Sequence, residues 1–378
     1  MNYQETLEYL FVKTPAFQQK GETAYKPGLA NVMELDDFYG NPHKRFKTIH
    51  IAGTNGKGSV SHTLAAILQS AGYKVGLYTS PHLKDFSERI RINGKPISEQ
   101  YVIDFVREAE EIIDRLNPSF FEITTLMAFT YFAHENVDIA VIETGLGGRL
   151  DSTNIISPIL SVVTNVSFDH VNLLGDTLEK IAFEKAGIIK KGIPAVVGEM
   201  PLGLRPIFTE KTEKVVFAED TANSDYEFEL KGYCQEKNKK TILCAVELLK
   251  NELNIKEENI AEGLKNVVEL TSLMGRWQKL SSSPLIIADT GHNVARVWRD
   301  SMTEEEYEAK CTKALFLAGL TDREGCTDVY EKERIAREQL LNYVFNLLPK
   351  TEREVLKANR HNVTQMDKVI ELARKFAA

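Results

Sequence analysis

Short hydrophobic runs alternate with longer amphipathic stretches between about residues 46 and 197. The runs are apolar at consecutive positions, which is typical of strands covered on both faces of a sheet. They predict strands at residues 48–52, 74–79, 138–142, 159–164 and 194–197. The amphipathic stretches predict helices at residues 58–71, 99–116, 122–136 and 178–189, and the aperiodic residues 80–96 predict a long loop. This alternation indicates an α/β domain with a mostly parallel sheet.

The hydrophobic pattern breaks at residues 200–232, where prolines, glycines and a polar run interrupt it. We predict a domain boundary there, with residues 1–225 as the first domain and residues 226–378 as a smaller second domain. The second domain is predicted to contain helices at residues 241–251, 257–267, 329–348 and 366–376 and strands at residues 277–280, 285–288 and 314–318.

The composition of the 378 residues is that of an ordinary folded enzyme, with 43% hydrophobic and 26% charged residues. The 46 basic and 54 acidic residues leave a net charge of −8, which provides no overall attraction to nucleic acid or an anionic membrane. The chain shows no bilayer-length apolar run, no signal-peptide pattern and no CxxC pair among its four cysteines. We therefore expect a cytoplasmic protein in which a local site holds any anionic ligand.

A glycine-rich turn joins the first predicted strand to the first predicted helix, with the sequence AGTNGKGS at residues 52–59. Glycines let backbone N–H groups converge on a phosphate, the helix N-terminus adds a positive dipole end, and a lysine supplies a point charge. The turn departs from the strict P-loop pattern, since position 51 is not glycine and Gly58 separates the lysine from the serine. A tight turn without a ligand is the alternative. The candidate phosphate-binding residues are Thr54, Asn55, Gly56, Lys57, Gly58 and Ser59.

Three further polar residues, Ser80, Glu143 and His170, follow the carboxyl ends of predicted strands. Ligands bind at that edge of an open parallel sheet, so these side chains are expected to converge with the glycine-rich turn. Together they could hold a magnesium ion that also contacts nucleotide phosphates, although imidazole is an unusual ligand for this ion. Each residue alone has an ordinary structural alternative, as a turn residue, an ion-pair partner or a hydrogen-bonded histidine.

Other polar segments carry candidate chemistry. A second glycine-rich turn at residues 143–151 ends in Arg-Leu-Asp and could shape a substrate pocket. GRW at residues 275–277 and DTGHN at residues 289–293 could reach a nucleotide across a cleft between domains, although both also fit ordinary turns. Lys185 lies on a predicted helix, where a solvated surface lysine is the simpler interpretation.

Together these motifs resemble the bifunctional folylpolyglutamate synthase/dihydrofolate synthase family, a branch of the Mur ligase superfamily. Muramyl ligases share the phosphate loop, but SPHL followed by ERIRING resembles the folate branch. The matching segments follow the family order over roughly residues 1–295. They are AGTNGKGSV at 52–60, YTSPHL at 78–83, ERIRING at 88–94, FFEITT at 120–125, ETGLGGRLDSTN at 143–154, FDH at 168–170, EKAGIIK at 184–190, GRW at 275–277 and DTGHN at 289–293.

The resemblance implies a P-loop-type, mostly parallel α/β domain, the central domain of Mur ligases, followed by a smaller Rossmann-like α/β domain. It implies ATP contacts from residues 54–59, Asn238, Arg276 and Asp289. It implies magnesium ligation by Ser80, Glu143 and His170, and carbamylation of Lys185. The catalytic residues would be Lys57, Lys185, His170 and His292. The pterin substrate would lie against Phe120, Phe121, Glu122, Leu150, Asp151 and Ser152, and also against residues 25–27.

The implied activity is ATP-dependent amide formation, with ATP and Mg²⁺ as cofactors and a monomeric protein. ATP would convert a carboxylate to an acyl phosphate, which L-glutamate would then attack. The acceptor would be dihydropteroate or the γ-carboxyl of a reduced folate. Since the family pattern fades after Asn293, the second domain is expected to be shortened or altered. Two alternatives remain open: an ATP-binding member with weak or lost ligase activity, and a Mur-type amide ligase with another substrate.

Overall fold

The computed structural model describes residues 1–14, 28–276, 278–282 and 285–288, the last two segments through their backbone. Several predictions lie outside these described residues. They concern residues 25–27, Asp289, His292, the strand at 314–318 and the helices at 329–348 and 366–376.

A mostly parallel sheet of eight strands lies at the centre of the described fold. Its strands are β1 (Lys47–Ala52), β2 (Val75–Tyr78), β3 (Ile90–Ile92), β4 (Lys95–Pro96), β5 (Ile139–Glu143), β6 (Leu160–Asn165), β7 (Ala195–Glu199) and β8 (Val215–Phe217). Their order across the sheet is β4-β3-β2-β5-β1-β6-β7-β8. The strands from β2 to β8 in this order are parallel, whereas β3 pairs antiparallel with both β2 and β4. A separate antiparallel pair is formed by β9 (Gln278–Ser282) and β10 (Leu285–Ala288).

The strands predicted in the first domain are confirmed as β1, β2, β5, β6 and β7, and those predicted at 277–280 and 285–288 as β9 and β10. The loop prediction for residues 80–96 is wrong in its second half, where β3 and β4 form a hairpin. Asn93 and Gly94 turn that hairpin with φ angles of 46° and 73°. An Asn-Gly pair is a strong signal for such a turn, since both positions need positive φ. Strand β8 was not predicted.

Helices cover both faces of the sheet. The α-helices are α1 (Tyr3–Lys13), α2 (Ala30–Phe38), α3 (Lys57–Ser70), α4 (Glu99–Leu116), α5 (Phe120–His134), α6 (Val171–Leu174), α7 (Leu178–Ala186), α8 (Arg205–Thr209), α9 (Tyr233–Leu249), α10 (Glu257–Lys265) and α11 (Val267–Thr271). Short 3₁₀ helices occur at Pro42–Arg45, Phe86–Arg89, Ser152–Ile155, Leu202–Leu204 and Ala218–Asp220. In the part of the chain that the structure describes, no helix is long and apolar enough to cross a bilayer.

The hydrophobic core has two layers, because successive residues of each strand point to opposite faces of the sheet. On one face, Ile49 and Ile51 pack with the buried sides of α3, α9 and α10. On the other face, Ala140 and Ile142 pack with α1, α2, α4 and α5. Ala52 lies on this second face as well, in a cluster with α7. The layers hold the carboxyl ends of β1, β5 and β6 side by side at one edge.

Residues 226–273 share the core of the sheet. Phe228 and Leu230 are buried in the same cluster as Ile49, and Ile242 on α9 is fully buried there. Leu273 is the last buried hydrophobic residue of this cluster. The boundary predicted between residues 225 and 226 therefore falls inside one continuous core. Residues 226–273 thus pack as part of the sheet domain, and the division of the chain into two domains stays a prediction.

Substitution Ile242→Ala is expected to destabilise the whole sheet domain. Truncating a fully buried isoleucine typically costs about 2–5 kcal/mol. Because α9 shares the core of the sheet, urea unfolding followed by circular dichroism should show one transition, moved to lower urea. Leu248→Ala on the same helix is the control, since Leu248 is 37% exposed. A separate early transition for residues 226–273, with the sheet unaffected, would contradict the shared core.

Candidate functional site

The glycine-rich turn at residues 53–56 is held tightly against the end of β6. A Cβ atom on Gly53 would lie 1.9 Å from the hydroxyl oxygen of Thr164, and Gly53 has a φ of +150°. The backbone N–H of Asn55 donates to Oδ1 of Asn165 at 2.7 Å. Only glycine allows this close approach, so the turn has one well-defined position at the start of α3.

The first turn of α9 packs on the other side of the glycine-rich turn. A Cβ atom on Gly56, where φ is +84°, would lie 2.4 Å from Oδ1 of Asn238. The Asn238 amide donates to Oε1 of Gln235 at 2.8 Å, and Gln235 donates to the hydroxyl oxygen of Ser59 at 3.2 Å. The structure thus places the predicted nucleotide contact Asn238 at the turn. Sequence reasoning missed Gln235, although it lies one helical turn before Asn238.

The predicted catalytic lysine, Lys57, folds back over its own turn. Its ammonium group donates to the carbonyl oxygens of Gly53 at 3.0 Å and Thr54 at 3.4 Å. The hydroxyl of Thr54 donates to the carbonyl oxygen of Ser167 at 2.9 Å. Thr54 therefore holds the turn in place. The ammonium group of Lys57 lies over the turn, next to the carbonyl groups of Gly53 and Thr54.

Glu143 lies at the end of β5 and is 3% exposed. Burial raises the pKa of its carboxyl group to about 7, against the opposing charges of Lys57 and Arg276 and a backbone hydrogen bond from Ser80. Among the described residues, its Oε2 atom has no hydrogen-bond partner. A Cβ atom on Gly58 would lie 3.3 Å from Nη2 of Arg276 and 3.8 Å from this Oε2 atom. Glu143 and Arg276 therefore both lie beside the glycine-rich turn at Gly58.

A buried carboxylate oxygen without a donor suits a cation. Within the described ranges, no three His, Cys, Asp or Glu side chains are grouped as a metal cage. A magnesium ion at Glu143 would take its other oxygens from hydroxyl groups and from a ligand's phosphates, which is usual for this ion. Ser80 lies beside Glu143, as predicted. His170 is on the loop after β6, in a left-handed conformation, with its Nε2 atom 3.8 Å from Oδ1 of Asp169.

Lys185 is buried on α7 with 2% exposure, so the surface interpretation is wrong. Burial lowers the pKa of its ammonium group to about 7, with a further lowering by the charge of Lys57 and an opposite effect of Asp169. A lysine with this pKa is partly an uncharged amine at neutral pH. Lys185 is buried by contacts between segments that are distant in the sequence, and the hydrophobic pattern of its own helix does not reveal these contacts.

The residues predicted to contact the pterin occupy different environments. The ring of Phe121 lies over the second glycine-rich turn, 2.7 Å from the position of a Cβ on Gly145. Phe120 is buried and stacks on Phe11 with ring centroids 4.9 Å apart. Glu122 caps α5, because its carboxylate accepts from the backbone N–H of Ser119 at 2.6 Å. Phe121 is thus the aromatic face of this group nearest the turn. Leu150 is half-buried and Ser152 is buried.

Asp151 is a positioning residue of the second glycine-rich turn. Its Oδ2 atom accepts from the backbone N–H groups of Gly145 and Leu146, each at 2.9 Å. Its Oδ1 atom accepts from the backbone N–H of Thr153 at 3.0 Å and from the Thr153 hydroxyl. Thr153 is also within 2.8 Å of the buried His50 Nε2 atom. These four donors give the carboxylate a structural role, and its predicted contact with the substrate stays a prediction.

A buried arginine, Arg89, lies near both Phe120 and Glu143. The sequence analysis did not predict it as a site residue. Its Nε atom donates to Nδ1 of His82 at 2.7 Å, and its guanidinium group lies 5.2 Å from the ring centroid of Phe120. Burial lowers the pKa of Arg89 to about 10, and the charge of Glu143 opposes this. Arg89 is therefore a cation between Glu143 and the aromatic residues. The only sequence signal for it is its place in ERIRING.

Comparison with known proteins identifies the family. Residues 51–255 match the Mur ligase middle domain. The chain is 34% identical over 330 residues to the dihydrofolate synthase/folylpolyglutamate synthase of Bacillus subtilis, covering 79% of this chain and 76% of that protein. The chain belongs to the folylpolyglutamate synthase/dihydrofolate synthase family. A folylpolyglutamate synthase of Thermotoga maritima matches with a TM-score of 0.68 and 36% identity, over 79% of this chain and 72% of that one.

A solved structure described as a complex of folylpolyglutamate synthase with AMPPCP and folate matches this family member with a TM-score of 0.71. The identity is 30%, and the match covers 85% of this chain and 87% of that one. The Mur ligase middle domain includes the glycine-rich turn, Glu143, Lys185 and Asn238. Arg276 lies beyond it, so its place beside Gly58 depends on the segment that follows α11.

Substitution Asp151→Asn is expected to destabilise the fold of this family member by about 1–3 kcal/mol, the usual cost of unsatisfied buried polar groups. An amide brings its own N–H groups against the donors that surround Asp151. Asp176→Asn is the control, because Asp176 is 78% exposed and pairs with Lys180. Stability is measured by urea unfolding without substrate. A stability equal to the wild type, with impaired substrate binding alone, would contradict the structural role and support the predicted substrate contact.

Substitution Glu143→Gln is expected to raise stability in alkaline solution, by about 3 kcal/mol at most. Since the folded-state pKa is raised to about 7, the folded protein binds the Glu143 proton more tightly than the unfolded chain does. Ionisation therefore lowers stability as pH rises towards 7, and this cost persists above pH 7. Urea unfolding of the ligand-free protein should show the variant more stable at pH 8, with a smaller difference at pH 5. Equal differences at both pH values would contradict burial as the cause.

Proposed function

We propose that this protein is an ATP-dependent amide ligase that joins L-glutamate to dihydropteroate, to the γ-carboxyl of a reduced folate, or to both. The observation that carries the proposal is the convergence of Lys57, Arg276 and the buried Glu143 at the glycine-rich turn, in a chain of this family. Its location would be the cytoplasm and its active form a monomer.

The glycine-rich turn would bind the ATP phosphates. Its glycines leave backbone N–H groups accessible at the start of α3, where the helix dipole favours negative charge. Lys57 would exchange its bonds to the carbonyl groups of Gly53 and Thr54 for the γ-phosphate. Asn238 would contact the nucleotide from α9, as would Arg276 from the opposite side of the turn. Asp289 is proposed to make a further contact.

The reaction would proceed in two displacements. An acceptor carboxylate oxygen attacks the γ-phosphorus and ADP leaves, which yields an acyl phosphate. The amino group of glutamate then attacks the acyl carbon, phosphate leaves, and the amine loses a proton to form the amide. Lys57 and Arg276 offset the negative charge that develops on the phosphoryl group. Bound magnesium, held by Ser80, Glu143 and His170, would neutralise phosphate charge and orient the transferred group.

Lys185 is proposed to be carbamylated. Its pKa of about 7 leaves a substantial fraction of uncharged amine at neutral pH, and only this form attacks carbon dioxide. The amine nitrogen would bond to the carbon of carbon dioxide and release one proton to solvent, which leaves a carbamate anion. The repulsion between the Lys57 and Lys185 cations would thereby become an attraction between Lys57 and the carbamate. His292 is proposed to lie close to the cleft between the two predicted domains. The second domain would supply the binding site for glutamate.

The acceptor is proposed to bind against Phe121, beside the second glycine-rich turn on which that ring packs. The Phe121 ring offers an aromatic face for a pterin, with Tyr78 tilted beside it at a centroid distance of 5.7 Å. Arg89 lies on the path from Phe120 to Glu143 and offers a positive charge to the acceptor carboxylate. Leu150 and Ser152 would complete the pocket.

Substitution Lys57→Ala is expected to reduce turnover by about 100-fold or more, because it removes a charge aimed at the transition state. Phosphate release is measured with ATP, Mg²⁺ and L-glutamate, with dihydropteroate or tetrahydrofolate in parallel reactions, and products are weighed by mass spectrometry. Lys47→Ala is the control, since Lys47 is a half-exposed lysine on β1 that pairs with Glu252.

Acceptor-dependent phosphate release by the wild type, with a product one glutamyl residue heavier, would support the proposal. The acceptor that reacts identifies the activity. ATP binding without such a product would favour a member with lost ligase activity, and a product from another carboxylate would favour a different Mur-type ligase. Unchanged turnover in Lys57→Ala would overturn the proposed role of the turn.

A further inference from the structure

The motif ERIRING at residues 88–94 lies between two parts of the site. Glu88, at its start, holds the loop that begins at Ser80. Its Oε2 atom accepts from the backbone N–H of Leu83 at 2.8 Å, and its Oε1 atom accepts from those of Lys84 and Asp85, each at 2.9 Å. These three bonds determine the conformation of the loop that carries Ser80.

Arg91 extends this arrangement towards the end of α11. It is 4% exposed, and its Nη1 atom donates to the carbonyl oxygen of Glu88. Its Nη2 atom lies 3.5 Å from the carbonyl oxygen of Ser272. The two terminal nitrogens of the Arg91 guanidinium group thus contact Glu88, which holds the Ser80 loop, and Ser272, which follows α11. A lysine ammonium on a flexible stem cannot reproduce this fixed geometry.

Two further contacts hold the same segment. A Cβ atom on Gly94, where φ is +73°, would lie 2.3 Å from the carbonyl oxygen of Leu270. The buried His62 on α3 has its Nδ1 atom 2.8 Å from the hydroxyl oxygen of Thr271. The hairpin turn and α3 therefore both pack directly on residues 270–272. The next residues of the chain lead to Arg276, whose guanidinium group lies beside Gly58.

We propose that Arg91 is a positioning residue that connects the Ser80 loop to the segment carrying Arg276, so that the two are placed together at the nucleotide. The inference rests on the proposed function for its ligand, ATP. Arg91 itself acts through Glu88 and Ser272. Removing its guanidinium group leaves residues 270–272 held by Gly94 and His62 alone, and Arg276 shifts from its position beside Gly58.

Binding of AMPPCP, a non-hydrolysable ATP analogue, tests this by titration calorimetry with Mg²⁺ present. Arg91→Met keeps much of the side-chain volume and is expected to weaken binding about tenfold. Arg91→Lys should recover little of this loss, because it restores the charge without the planar group. Arg107→Met is the matched control, an exposed arginine on α4 that pairs with Asp104, and should bind like the wild type.

A double-mutant cycle separates positioning from general destabilisation. If Arg91 acts through Arg276, adding Arg91→Met to Arg276→Ala should weaken AMPPCP binding by less than about twofold. Thr271→Val removes the His62 contact and serves as an independent variant, expected to weaken binding about threefold, in case Arg91→Met does not fold. Urea unfolding of each variant identifies those that are folded under the binding conditions.

The outcomes are distinct. Wild-type protein that does not bind AMPPCP would overturn the proposed function and this inference with it. Wild-type binding together with normal binding by folded Arg91→Met overturns the inference alone, as does normal binding by Thr271→Val when Arg91→Met does not fold. Fully additive losses in the cycle also overturn it, because they show that Arg91 does not act through Arg276.

Discussion

The burial of the Glu143 carboxylate is the constraint on which the arrangement of the site depends. A carboxylate removed from water is costly unless positive charges stand close to it. Lys57, Arg89 and Arg276 supply these charges from three separate segments. Each segment therefore has to be held in place: the glycine-rich turn by β6, the residues around Arg89 by Glu88, and the approach to Arg276 by the β3–β4 hairpin.

Much of the parallel sheet could be predicted from the sequence, because strands buried on both faces have continuous apolar runs. The same physics explains the omissions. Strand β8 has only three half-buried residues. Strand β3 lies within the charged motif ERIRING, and β4 follows that motif directly. Arg91 of the motif is buried and donates to backbone carbonyl oxygens, which a charged residue in the sequence does not predict. The Asn93-Gly94 pair was the one local signal for that hairpin. The boundary near residue 225 reflects a polar connection on the surface, which does not reveal that the chain returns to the same core.

The candidate site was predictable where backbone geometry demands particular residues, and less so where burial depends on distant segments. The glycine-rich turn and Glu143 follow directly from strand ends and glycine spacing. Lys185 and Arg89 become buried only when separate helices and loops meet. Asp151 shows a role that its position in a glycine-rich turn does not reveal, because its carboxylate accepts from two donors in the turn and two on Thr153.

The shared core of the sheet and residues 226–273 also bears on how the chain can be divided. A fragment ending at residue 225 would keep α3 but lose α9 and α10. The apolar residues of the sheet and of α3 that those two helices cover would then be exposed, and such a face favours aggregation. A fragment ending after Gly275 would keep that face covered. A junction following α11 would therefore leave the described core of the sheet intact, and Gly275, with its φ of +66°, lies at that point of the chain.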